Sequence, residues 1–391
     1  VTIGEERPAE APPEEGAPPP GTPLVLPPPS ALRVTWGLVA VNVAIFVLEA
    51  LWGGSEWSPT LYRMGAITGR DALASEPWRV VSSAFLHIGP VHLLLNMWAL
   101  YVFGHFLESL LGPSRLLVLY AAAAAGGGLA SSLARDERLA AGASGAVWGL
   151  MVAELVLILR PRVLFEDLVF HVNKAQVLQP LALNLLISLQ PGIDFVAHLG
   201  GGITGGLVML SGVLARDPEG RAWRPAARVA GAVMAVCIAM AFARGRPWEL
   251  RAPVLEQESL PGAPIALPVP RGLTMRVEGS VVTFGDLPRD PLVIQCRLAP
   301  PELRPAGGAQ PERRRYPNGL VSDVWWLTDG VHALELEVAR WPELPEPWPA
   351  VPARIAEGVV FRAGSPAPTA PGPSSPTLPP SPAGEDPPPS R

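Results

Sequence analysis

Cysteine is scarce in this chain, with two in 391 residues. Cys237 lies in an apolar run and Cys296 in a later polar stretch, so no disulfide framework is expected and the pair does not reveal the compartment. Charge is scarce as well: 17% charged against 49% hydrophobic residues is too little for an ordinary water-facing surface. The charge present sums to -5, which argues against a nucleic-acid partner. No H-E-x-x-H occurs, so a helix-borne zinc protease is not expected, and neither a metal nor a cofactor is called for. The first residues are acidic and lack a basic stretch followed by a short apolar one, which is not the pattern of a signal peptide.

Proline is abundant instead, 48 residues crowded toward the two ends. Stretches such as "APPEEGAPPPGTPLVLPPPS" and "SPAPTAPGPSSPTLPPSPAGEDPPPSR" cannot bury a core, so 1–32 and 363–391 are expected to be disordered tails. Between them lie seven apolar segments: 34–52, 90–107, 115–134, 144–159, 175–190, 194–214 and 227–243. A bilayer-spanning helix needs about 20 residues, and the fourth and fifth segments are short of that. Seven of them joined by short polar links nevertheless imply an all-α polytopic membrane protein, with the lipid bilayer as its solvent. Arg160, Arg162 and Lys174 follow the fourth segment, and Arg216, Arg221, Arg224 and Arg228 follow the sixth. That bias puts these loops and the amino terminus in the cytoplasm and suggests the plasma (inner) membrane, although Arg63, Arg70, Arg79, Arg135 and Arg138 stand on the other side. After Arg246 the pattern turns to alternating stretches, "MRVEGSVVTFG" and "VHALELEVARW", with a turn at Asp329-Gly330. The expected organisation is a helical core over 33–214, a loop and extra helix over 215–245, and a small β-rich domain over 246–362 on the outer side.

Polar groups inside a bilayer are costly, so each asks for a reason. His92 and Asn96 are four apart and share one helical face. Ser144 opens the fourth segment and His198 lies in the first turns of the sixth. All three segments are even-numbered, so all four groups lie near the same end. Ser144 is 16 residues from Arg160, roughly 24 Å at 1.5 Å per residue, which sets it several Å inside the outer boundary of a hydrocarbon layer about 30 Å thick. A serine, a histidine and extra donors at one depth suit acyl transfer. A bare hydroxyl is a poor nucleophile; a neutral imidazole, His198, can take its proton and return one to a leaving amine. His92, the Asn96 amide and the Ser144 backbone N–H could serve the oxyanion. Gly142, Ala143 and Gly145 leave room for a substrate backbone, and Gly201 and Gly205 let the sixth segment approach the fourth.

Five stretches in order resemble the rhomboid intramembrane serine proteases over roughly 33–214: "EPWRV" with its Trp78-Arg79 pair, "FLHIGPVHLLLNM", "FGHFLE", "GASG" and "AHLGGGITG". The resemblance implies a six-helix bundle with a seventh helix added. It also implies Ser144 as nucleophile, His198 as base, His92 and Asn96 as oxyanion donors, and 175–193 as a lateral gate and cap. Its substrates would be transmembrane segments of single-pass proteins, cut near the outer face; an inactive relative that binds membrane clients is the alternative. Oligomeric state is not legible. Phe195 stands where the family often has a polar residue, and Trp148 either stacks on His198 or packs in the core.

Other polar residues have plainer readings. His87 orders water or the loop, or is structural. His105 is a solvated or capping group, and Glu154 is too deep to join Ser144. Glu108 is expected to order the loop between the second and third segments. Asp194, four residues before His198, is expected to cap its helix rather than complete a triad.

Overall fold

A computed structural model describes residues 32–134, 139–160, 174–190, 192–215, 221–287, 289–299, 310–317, 319–342 and 344–362. Apart from Leu32, the expected tails lie outside the described residues, as do Arg135, Arg138, Arg162 and Arg216. Helix α1 (Arg33–Leu51) leads into three short helices, α2 (Ser58–Arg63), α3 (Arg70–Ser75) and α4 (Arg79–Ser82). Long helices follow: α5 (Pro90–Leu111), α6 (Pro113–Ala134), α7 (Ser144–Leu159), α8 (Lys174–Ser188), α9 (Phe195–Leu210) and α10 (Trp223–Gly245). The chain is a multi-pass helical membrane protein. Among the described residues, the stretches 33–51, 90–111, 113–134 and 223–250 are long and apolar enough to cross a membrane, while α7 and α9 are apolar but shorter.

Several helix ends follow local chemistry. Pro90 and Pro113 start α5 and α6, where a missing N–H costs nothing. Gly112 breaks the chain between them at a φ of 78°. α1 has no capping side chain of its own; Leu32 precedes it. Its first N–H groups are taken instead by Glu108, which accepts from Val34 N (3.0 Å), Thr35 N (2.8 Å) and Thr35 Oγ1 (2.6 Å). That corrects the sequence reading of Glu108: the carboxylate caps a helix 73 residues away rather than ordering the adjacent loop.

Close packing joins α6, α7 and α9 through glycine. A Cβ on Gly201 would stand 1.9 Å from the Gly145 carbonyl oxygen, and one on Gly205 2.2 Å from that of Gly149. Both obstacles are backbone, so the helices would have to separate. Gly201→Ala is therefore expected to cost about 1–3 kcal/mol of stability. Thermal unfolding in detergent reads this, and an unchanged midpoint would contradict the close approach.

Beyond α10 the chain is β-rich. Strands β1 (Leu255–Ser259), β2 (Ile265–Pro270), β3 (Met275–Glu278), β4 (Val281–Phe284), β5 (Leu292–Ala299), β6 (Glu312–Arg315), β7 (Val321–Thr328), β8 (Ala333–Arg340) and β9 (Val360–Phe361) form two antiparallel sheets. Their orders are β1-β2-β9 and β3-β4-β5-β8-β7-β6, with helix α11 (Val351–Glu357) beside β2 and β7. Asp329 makes the β7–β8 turn by accepting from Val331 N (2.9 Å) and His332 N (2.7 Å), and Gly330 follows at positive φ.

This region is seated on the bundle. Trp57, between α1 and α2, packs on its hydrophobic core. Arg63 of α2 pairs with Glu249 at 3.8 Å, and a Cβ on Gly245 would meet the Arg63 carbonyl at 1.7 Å. The segment 52–89 also holds the approach to α7, through an Ile67–Ala140 bridge and Gly142 N donating to Ser83 O at 3.0 Å. The β-rich region thus sits at the end of the bundle where α7 begins.

Candidate functional site

Ser144 is the first residue of α7, so its own N–H has no partner within the helix. Its hydroxyl oxygen lies 2.7 Å from Nε2 of His198, which stands one turn into α9. The glycine contacts between α7 and α9 make that distance possible, by bringing two backbones closer than any Cβ would allow. His198 is 6% exposed, whereas Ser144 is partly open. Trp148, one turn below the serine, stacks on the imidazole with ring centroids 5.6 Å apart and planes 16° apart. Of the two sequence readings of Trp148, the structure has the stack.

His92 comes to the same place from α5. A Cβ on Gly142 would lie 2.7 Å from His92 Cε1 and 3.0 Å from Nε2, and Gly142 has a φ of 144°, which side chains seldom adopt. The other ring nitrogen of His92, Nδ1, accepts from Ile88 N at 3.3 Å. A neutral ring with Nδ1 as acceptor carries its proton on Nε2, so the group facing Gly142 and Ser144 is a donor. Asn96 is 6% exposed, and its Nδ2 donates to the His92 carbonyl at 2.9 Å. One N–H of that amide is thus spent on its own helix and one remains.

Behind Ser144 lies a small cleft with Ser83, Ser131, Gly142, Gly145 and Asp194 among its lining. Asp194 is the N-cap of α9, accepting from Ala197 N at 3.1 Å, and it also accepts from the Ser131 hydroxyl. It makes no hydrogen bond to the imidazole. The nitrogen that a triad acid would occupy, His198 Nδ1, lies 2.7 Å from Ser188 Oγ on α8. Asp194→Asn, which keeps the capping oxygen, is expected to slow any serine chemistry here by less than about tenfold. Loss of a triad acid costs roughly ten-thousandfold, and single-turnover rates in vesicles separate the two.

Sequence reasoning missed Ser188. Its one signal is a hydroxyl closing the apolar run Leu185-Leu186-Ile187, and nothing in spacing links it to His198.

The remaining residues support rather than form the site. Trp78 and Arg79 tie the 52–89 segment together: Arg79 donates to the Tyr62 (2.6 Å) and Ala66 (2.9 Å) carbonyls, pairs with Glu76 at 2.7 Å and lies over the Tyr62 ring, while Arg244 of α10 lies 5.6 Å from the Trp78 ring. His87 is fully buried, its N–H donating to Glu49 at 3.0 Å and its ring against that of His92 at 5.3 Å, which is the structural reading. His105 stacks on Tyr101. Among the described residues no group of three or more His, Cys, Asp and Glu could hold a metal.

Residues 74–216 match the rhomboid domain. The chain is 37% identical over 161 residues to RHOMBOID-like protein 2 of Arabidopsis thaliana, covering 39% of this chain and 49% of that protein. It is 32% identical over 171 residues to Rhomboid protease GluP of Bacillus subtilis, covering 44% of this chain and 33% of that one. With Rhomboid protease AarA of Providencia stuartii it shares 27% identity over 207 residues, 47% of this chain and 74% of that one. The chain spans about half the length of three of the plant relatives it matches and less of two others.

Proposed function

We propose that this chain, a member of the rhomboid family by the domain it carries over 74–216, is a serine endopeptidase that cuts transmembrane segments of single-pass proteins. The observation that carries this reading is the 2.7 Å contact between Ser144 Oγ and His198 Nε2 at the end of the bundle where α7 begins. Ser144 attacks the scissile carbonyl carbon as its proton passes to Nε2. The oxyanion meets the Nε2–H of His92 and the backbone N–H of Ser144, with the free amide hydrogen of Asn96 as a third donor. The imidazolium gives its proton to the leaving amine, an acyl-enzyme remains, and water activated by the same imidazole releases it.

The reading extends to topology. Seven spans, α1 and α5 to α10, leave the amino terminus in the cytoplasm and the β-rich region outside, in the plasma (inner) membrane. The seating of that region on the 52–89 segment supports this, because both would then lie on the outer side with Ser144. A cysteine replacing Val331, an exposed residue of the β7–β8 turn, is expected to react with an impermeant maleimide in intact cells. Reaction only after lysis would mean that α10 does not cross.

Since a helix hides its own carbonyls, the cut falls near the outer end of the substrate segment, where small or helix-breaking residues let it unwind. Helix α8 is the entry side. Among its described side chains most are exposed, as suits a helix that parts from the bundle to admit another. Comparing membrane and medium proteomes for wild type and Ser144→Ala tests the function: ectodomains released only by wild type support it, and identical releases overturn it.

A further inference from the structure

Ser188 closes α8 with its Oγ between two partners, His198 Nδ1 at 2.7 Å and the Asn184 carbonyl oxygen at 2.6 Å. It is 2% exposed, while its neighbours Leu185, Leu186, Ile187 and Leu189 are 42–62% exposed. Among the described side chains of α8 it is the one that is buried.

A hydroxyl has a single proton. The Asn184 carbonyl oxygen has lone pairs only, so at 2.6 Å the proton must lie between the two oxygens. Turned away, it would leave lone pairs of the two oxygens facing each other at that distance, a repulsive contact. Ser188 Oγ can then only accept from His198, which requires Nδ1 to carry the ring's proton. Nε2 is left with its lone pair toward the Ser144 hydroxyl. The opposite tautomer would present an N–H to Ser144 and could not take its proton. Asp194, the nearest carboxylate in sequence, is engaged with Ala197 and Ser131 and leaves this task undone.

We infer that Ser188 is a positioning residue for the acyl transfer: it holds His198 in the tautomer whose Nε2 can accept the Ser144 proton. This rests on the protease reading above. During attack the Ser144 proton moves to Nε2, the Nδ1 proton stays in place, and the Ser188 hydroxyl, itself donating to Asn184, shares the imidazolium charge. The same Nε2 proton then leaves with the amine. Because the hydroxyl belongs to α8, the base is aligned only while the end of that helix is seated against α9.

The test uses the full chain in lipid vesicles, with Ser188→Ala and Ser188→Thr compared with wild type. One readout is cleavage of a single-pass substrate; the other is labelling of Ser144 by a small fluorophosphonate, which needs no helix-sized entry. For Ser188→Ala, kcat and the labelling rate are expected to fall together about tenfold, as for a lost buried hydrogen bond, with KM within twofold. The acid limb of the rate profile shifts to lower pH, because an acceptor that favours the imidazolium is gone. Ser188→Thr, keeping the hydroxyl, recovers most of the labelling rate. Labelling of Ser188→Ala at the wild-type rate, or a change confined to KM, overturns the assignment. Nitrogen-15 spectra of wild-type histidine test it without any substitution: a neutral His198 protonated on Nδ1 is expected, and one protonated on Nε2 overturns it. That spectrum stands even if wild type neither cleaves nor labels, a result that would sink the protease reading itself.

Discussion

Ser144→Ala and His198→Ala should each lower cleavage by about ten-thousandfold or more, and the double variant should be little worse than either. The Ser144 Oγ and His198 Nε2 are 2.7 Å apart, and in the proposed reaction neither serves without the other. A methyl group has no lone pair to attack with. A hydroxyl with no base nearby has no ready acceptor for its proton and is a poor nucleophile. Groups that act as a unit give losses that do not add, and residual rates reflect the oxyanion donors and binding alone. Both variants keep the fold, since α7 and α9 are held by glycine contacts that neither side chain makes. Single-turnover cleavage in vesicles measures the effect. A double variant slower than the single ones by a further factor of the same size would mean that the two residues act independently.

His92→Ala is expected to cost about a hundred- to a thousandfold, the loss seen when one oxyanion donor is removed. The expectation rests on the direction of the imidazole. Ile88 N donates to Nδ1, which leaves the proton on Nε2 beside Gly142 and Ser144. That N–H is in place before the substrate arrives, so its full strength is felt where negative charge develops. Asn96→Ala is expected to cost less, because one amide hydrogen is already committed to the His92 carbonyl. The loss should fall on kcat with KM little changed. A rise in KM at constant kcat would assign His92 to substrate binding instead.

The part of the site that could be read from sequence is the part set by local spacing. Ser144 begins α7 because a glycine at positive φ precedes it and an unbroken apolar run follows. His92 and Asn96 share a face because they are four apart, and Asp194 caps α9 as an aspartate ahead of an apolar helix is apt to do. What escaped the sequence depends on segments meeting at long range. Glu108 caps α1 across 73 residues, and no pattern in either segment announces the pairing. Trp57 enters the core of the β-rich region far along the chain, and nothing in the segment after α1, which holds α2, α3 and α4, announces that contact. Ser188 is a lone hydroxyl in an apolar stretch, and its meaning depends on where α8 ends relative to α9. The β-rich region was legible as alternation and turns, but its two-sheet order was not, because β5 and β8 pair across a long intervening segment.

The most direct measurement of the central claim is to map, by mass spectrometry, the products that the purified full-length chain makes from single-pass membrane proteins in lipid vesicles, beside Ser144→Ala. The account predicts cuts clustered near the outer end of the substrate's membrane segment and none with Ser144→Ala. Cuts clustered at the cytoplasmic end, or an identical product pattern from both proteins, would contradict it.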